Sequence, residues 1–197
     1  MEGSFFGDSW IGKEVEFSNP EASKWRIKEK TSEKVEQFDS LDLRTLGGPI
    51  LSYSWAIFLC EEVNDNDEDG SHNVAFMKVY RQIPHVGTMG EPHTIRAQQA
   101  GTRPFCDIEA YKYFARQQAR HLPVCLAHKY ERQDEYDLVP GGFMYYVVYT
   151  KVPGLRLDDK SFWALEDDER DTVRKGFVEA YKYGWLSVEK SPFLIRR

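Results

Sequence analysis

Val74-Ala75-Phe76-Met77-Lys78-Val79 sets one lysine inside an otherwise apolar, strand-prone run. An ammonium among apolar neighbours requires an anion, from a phosphate or a carboxylate. The alternative is an edge-strand lysine whose head reaches water over its own alkyl stem. Either way, Val74 to Tyr80 is predicted as a strand. Upstream, Ile50 to Val63 is rich in β-branched and aromatic residues and predicts a longer strand. The polar, acidic stretch Asn64 to Asn73 contains Asp69-Gly70 and reads as the hairpin connection between them. It has the composition of a Ca²⁺ loop but not the EF-hand spacing or its final glutamate, so a solvated tip is the better reading. Gly47-Gly48-Pro49 is a turn. Met1 to Ser40 is mixed and polar. It reads as a peripheral extension in which Asn19-Pro20-Glu21 opens a helix through Phe38, with Trp25, Val35 and Phe38 as its apolar positions.

Downstream of the lysine, Gln82 to Pro104 contains Pro84, Gly87, Gly90, Pro92 and Gly101. So many breakers predict a long, partly mobile loop. Asp107 to His121 reads as a helix, with Asp107 suited to the positive end of its dipole. Ile108, Tyr111, Phe114 and Ala115 supply its apolar face, and Pro123 stops it. Val124 to Tyr130 is a short strand. Pro140-Gly141-Gly142 is a turn, and Phe143 to Val152 is the most apolar run of the chain, a strand buried on both faces. After Pro153-Gly154, Glu166 to Gly184 reads as a helix. Its first turn is acidic, and Val173, Phe177, Ala180 and Tyr181 share one face.

Charged residues make up 29% and hydrophobic residues 41% of the 197, an ordinary balance for a globular domain with a real core. The net charge of -6 gives no basic footprint for nucleic acid. No stretch reaches the ~18 apolar residues that a membrane span needs. Met1 to Trp10 carries Glu2 and Asp8, which is not the pattern of a secretory signal. Cys60, Cys106 and Cys125 are odd in number and widely spaced, which favours free thiols and a cytoplasmic setting. The five histidines show no metal-binding spacing.

The order of elements, with three local motifs, resembles the protein-kinase-like superfamily, and within it the fungal kinase-like and aminoglycoside-phosphotransferase-like group. The resemblance covers roughly Arg44 to Gly184. Val74-Ala75-Phe76-Met77-Lys78-Val79 looks like the strand whose lysine pairs with nucleotide phosphates. Asp107-Ile108-Glu109-Ala110-Tyr111 looks like the start of the following helix, where Glu109 would pair with Lys78. Val147-Val148-Tyr149-Thr150-Lys151-Val152-Pro153-Gly154 looks like the strand entering the hinge, with Thr150, Lys151 and Val152 facing an adenine. The fold that this implies is α+β: a kinase-like N-lobe over residues 41–155, with a five-stranded antiparallel sheet and one packed helix. An incomplete C-lobe over 156–197 would begin with one helix. ATP is the implied cofactor.

The resemblance is incomplete where catalysis is concerned. Leu46-Gly47-Gly48-Pro49-Ile50 lacks the GxGxxG of a phosphate-cradling loop, and Pro49 removes an amide. Where the family carries His-x-Asp and then a metal-binding Asn, this chain has Ser187, Glu189 and Leu194. Glu189 would be a displaced base, and Leu194 offers Mg²⁺ no oxygen ligand. The expectation is a truncated, catalytically impaired, pseudokinase-like protein that retains nucleotide binding and holds Mg²⁺ poorly. The competing expectations are a non-catalytic interaction module and a fragment of an active phosphotransferase. The apolar face of the 166–184 helix predicts a homodimer or a complex with another protein, unless the N-terminal extension covers that face through Trp25 and Phe38.

Overall fold

The computed structural model describes residues 4–45, 50–63, 73–116, 123–151 and 159–189. It divides into two compact units, Met1–Phe105 with Leu126–Thr150, and Cys106–Cys125 with Lys151–Arg197. The first unit is built on one antiparallel sheet of six strands in the order β1-β2-β3-β4-β6-β5. In chain order these are β1 (Glu14–Phe17), β2 (Ser23–Glu36), β3 (Tyr53–Glu62), β4 (Val74–Gln82), β5 (Cys125–Arg132) and β6 (Phe143–Thr150). Two short helices accompany them, α1 (Ser40–Thr45) and α2 (His93–Ala97). The second unit carries α3 (Cys106–Arg116), α4 (Asp159–Trp163) and α5 (Asp167–Glu189).

The sheet is therefore α+β in context but has six strands, not the five expected. Both β1 and β2 lie in the segment read as a peripheral extension. No helix runs from Asn19 to Phe38; β2 occupies most of that span. In β1 the sequence Glu14-Val15-Glu16-Phe17 alternates exposed and buried. In β2 Trp25 and Ile27 are buried two residues apart, the period of a strand. The charged remainder of β2 is stabilised across the ladder. Arg26 stands opposite both Glu14 and Glu61 and bonds each, at 2.7 Å and 3.2 Å. Opposite charges in register favour a strand where local propensity does not. Trp25 is thus a core residue of the sheet and is not available as the anchor of a folded-back extension.

One face of the sheet holds the core. Phe6 and Trp10, the latter closing a short 3-10 turn at Asp8–Trp10, pack with Phe58, Met77, Tyr146 and Val148. Phe6 and Trp10 meet edge to face with ring centres 5.0 Å apart, and Trp10 stacks on Phe58 at 5.8 Å. The N-terminal stretch is fixed at the sheet by Glu33, which accepts from the Phe5 amide, the Ser4 hydroxyl and the Lys30 ammonium. The two margins of the sheet also approach. The His128 amide of β5 donates to the Asn19 carbonyl beside β1 at 3.0 Å. β6 is buried on both faces as its sequence predicts.

The long loop after β4 is braced by buried polar side chains. Gln82 is fully buried; its amide donates to the Gln99 carbonyl and accepts from the Gly101 amide. Gln133, also buried, donates to the carbonyls of Gln82 and Phe143 and accepts from the Val139 amide. Arg96 of α2 donates to the carbonyls of Glu91 and Leu138. Prolines and glycines prevent regular structure here, but long-range bonds supply the order that the local sequence does not.

In the second unit α3 and α5 approach one another. α5 does not stop at Gly184; it continues through Ser187 and Glu189. The proposed catalytic loop positions Ser187 and Glu189 therefore lie within a helix. Gly47-Gly48-Pro49 and most of the acidic connection between β3 and β4 lie outside the described residues.

Candidate functional site

Lys78 lies at the middle of β4, with β3 on one side and β6 on the other. Its ladder partners are Ile57 and Val147. It is not on an edge strand, so the edge-lysine reading is excluded. Alternation along β4 sends Ala75, Met77 and Val79 into the core and sets Lys78 on the opposite face with Phe76 and Tyr80. There the half-buried side chain places its ammonium 4.2 Å from the centre of the Trp55 ring and 4.7 Å from that of Tyr80. An ammonium beside aromatic rings is attracted by their quadrupoles. That geometry fixes a positive charge at the centre of the sheet. A second aromatic group on the first unit surrounds Phe105, which stacks on Tyr80 at 4.0 Å and meets Tyr53 edge to face at 5.5 Å. The Arg103 guanidinium covers Tyr53 at 4.5 Å.

The other expected site residues are distributed as follows. Glu109 is on α3 in the second unit, and its exposed carboxylate pairs with Lys112 one turn on, at 3.0 Å. The Cys125 thiol is pushed up by burial, with Lys112 lowering it and Glu109 raising it. Glu109 thus belongs to a local helix pair, and Lys78 belongs to the other unit. Thr150 ends β6 opposite Ala75, Lys151 is exposed just after it, and Val152 lies outside the described residues. Glu189 is the last residue of α5, and Leu194 lies outside the described residues. Among the described residues no three His, Cys, Asp or Glu side chains are grouped to hold a metal. Among them, too, no helix is long and apolar enough to cross a membrane.

Several ordered polar features escaped the sequence reading. Ser52, fully buried, accepts from the Phe38 amide and bonds His85 Nδ1 at 2.9 Å. Burial lowers the pKa of His85. A serine–histidine contact suggests a nucleophile, but this hydroxyl is enclosed, so the pair is a structural junction between the loop and the segment before α1. Arg81 pairs with Asp137 and borders a cavity of about 390 Å³ lined by Phe5, Gln37, Val86, Met89 and Leu138. Cys60 is buried, its thiol pushed up to about 12, chiefly by desolvation. It donates to the Ala75 carbonyl and is an inert core group.

No protein-family model matches the chain, and neither the curated proteins nor the solved structures compared with it give a match.

Proposed function

We propose that this chain is a nucleotide-binding module of kinase-like descent with impaired phosphoryl transfer, in which Lys78 holds the phosphates of ATP. The observation that carries this reading is a half-buried lysine at the centre of the sheet, on the face opposite the main core. Within the sheet unit, the residues that would hold the nucleotide are Lys78 and Thr150. Weak catalysis follows from Leu194, which cannot ligate Mg²⁺, and from the helical setting of Glu189.

Thermal unfolding in the presence of ATP, with and without Mg²⁺, tests the reading. At a hundredfold excess over Kd, a ligand of the native state adds about 2.7 kcal/mol. For a chain of this size that raises Tm by several degrees. The expected result is a rise for the wild type, little changed by Mg²⁺, and none for Lys78→Met. No rise at millimolar ATP, or an equal rise in the variant, overturns it.

One observation favours a second reading, a non-catalytic interaction module that pairs with a second copy of itself. On α5 Phe177 is 66% and Tyr181 54% exposed, and their rings stack at 5.9 Å. Two aromatic rings held together in water are an unpartnered apolar feature. Sedimentation that shows a dimer for the wild type and a monomer for Phe177→Glu supports this reading; a concentrated wild-type monomer rejects it.

A further inference from the structure

We propose that the groove between α2 and residues 134–140 is a recognition site for an arginine side chain of a partner polypeptide. It is lined by His93, Thr94, Ala97, Glu135, Tyr136 and Pro140 and encloses about 340 Å³. The inference does not depend on the nucleotide reading, since neither Lys78 nor its aromatic neighbours contribute.

The groove is held in shape from below. Arg96, 7% exposed, ties α2 to the 134–140 segment through the Leu138 carbonyl at 2.6 Å. Gln133 secures the Val139 amide. Asp137 pairs with Arg81 and accepts from the Asp134 amide at 3.1 Å, while Asp134 accepts from the Tyr136 amide at 2.9 Å. On this braced segment Tyr136 is nevertheless 78% exposed. A large aromatic ring presented to water by a fixed backbone is a ready contact surface, because little ordering remains for a ligand to impose.

The polar lining decides which ligand fits. His93 Nδ1 lies 2.7 Å from the Glu135 carbonyl. A carbonyl only accepts, so Nδ1 carries the proton. In the neutral ring Nε2 is then an acceptor. The Glu135 carboxylate has no ion-pair partner among the described residues, and the Thr94 hydroxyl can also accept. The Tyr136 ring stands edge to face with His93, ring centres 6.1 Å apart. The lining residues therefore include a carboxylate, an imidazole, a hydroxyl and an exposed ring, and no lysine or arginine. A guanidinium is cationic, donates from every nitrogen and stacks flat on an aromatic ring. Its alkyl stem suits Ala97 and Pro140. The chain's net charge of -6 favours approach of a basic partner.

The probe is a blocked Gly-Arg-Gly peptide titrated into ¹⁵N-labelled protein, with Gly-Lys-Gly and Gly-citrulline-Gly as comparisons. The expected result is amide shifts confined to 93–97 and 134–137 with the arginine peptide. Tyr136→Ala weakens binding roughly three- to fivefold, the range of an exposed cation–π contact. Glu135→Gln weakens it as well, without altering the exposed ring. Equal binding of the citrulline or lysine peptide overturns the assignment to a guanidinium. Shifts spread over the acidic surface, no shifts at all, or unchanged affinity in Tyr136→Ala overturn the site.

Discussion

Gln133→Leu removes a side chain that joins three parts of the first unit while keeping nearly the same volume. Gln133 is 4% exposed. Its Nε2 donates to the Gln82 carbonyl at 2.8 Å and the Phe143 carbonyl at 3.3 Å, and its Oε1 accepts from the Val139 amide at 3.1 Å. Leucine leaves the two shorter-range backbone partners, Gln82 C=O and Val139 N–H, without this side chain. A buried polar group that loses its bond costs about 1–3 kcal/mol, so the two together cost about 2–6 kcal/mol. The better burial of leucine returns about 1–2 kcal/mol. The net expectation is a loss of about 2–3 kcal/mol, within limits of about 0–5 kcal/mol. Urea unfolding followed by tryptophan fluorescence reads this directly, because Trp10, Trp25 and Trp55 all lie in the sheet unit. Hydrogen exchange at the Val139 amide gives a local check, and that proton is expected to lose protection first. A variant within about 0.5 kcal/mol of wild type, with the Val139 amide still protected, would refute the claim that buried polar bonds hold this region.

Gly142→Ala is expected to destabilise by about 1–3 kcal/mol, as overpacking does. A Cβ there would lie 2.8 Å from Gln82 Oε1 and 2.9 Å from the Val139 carbonyl, whereas Gly90→Ala meets nothing within 4 Å and should be neutral in the same urea assay. Because burial lowers the pKa of His85, the unfolded chain takes up this proton first as pH falls below the ordinary value near 6.5. Stability contributed by the neutral ring is full above that pH and declines below it. His85→Gln should flatten the pH dependence of Tm below the ordinary value of 6.5, and parallel wild-type and variant profiles would count against this. Glu33 acts in a lower window. Desolvation raises its pKa, but the bonds from Lys30, Ser4 and Phe5 outweigh this and leave it lowered. Its contribution is present above the ordinary value of 4.5 and lost as pH falls through the folded value, a loss that Glu33→Gln should remove from the acid limb.

The elements legible in the sequence were those whose burial leaves a periodic trace. β3, β4 and β6 have long apolar or alternating runs, and α3 and α5 have helical faces. β2 lacked such a trace because only Trp25 and Ile27 among its fourteen residues are buried. Its pairing depends on partners distant in sequence, Glu14 on one side and Glu61 on the other. The alternation in Glu14-Val15-Glu16-Phe17 was the signal that could have revealed it. Phe6 carried no signal for a core role, since what fixes the stretch before it is Glu33, nearly thirty residues from Ser4 and Phe5.

The candidate sites divide along the same line. Lys78 stood out in the sequence because a charge inside an apolar run is anomalous whatever the tertiary structure, and the fold sets it on a central strand. The groove beside Tyr136 could not be found that way. Its residues come from two segments some forty positions apart, and each segment alone reads as an ordinary polar loop. What joins them is Arg96, whose guanidinium bonds backbone carbonyls. Backbone acceptors exist at every residue, so no side-chain pattern marks which one will be used. Gln82, Gln99 and Gln133 are invisible for the same reason. A glutamine in sequence predicts exposure, yet here these side chains replace the regular hydrogen bonding that Pro84, Pro92 and the loop glycines prevent. The order of this loop is thus a consequence of its irregularity. Backbone groups that cannot enter helix or sheet must be satisfied singly by side chains, and the segment so fixed can present Tyr136 to solvent without relying on regular structure.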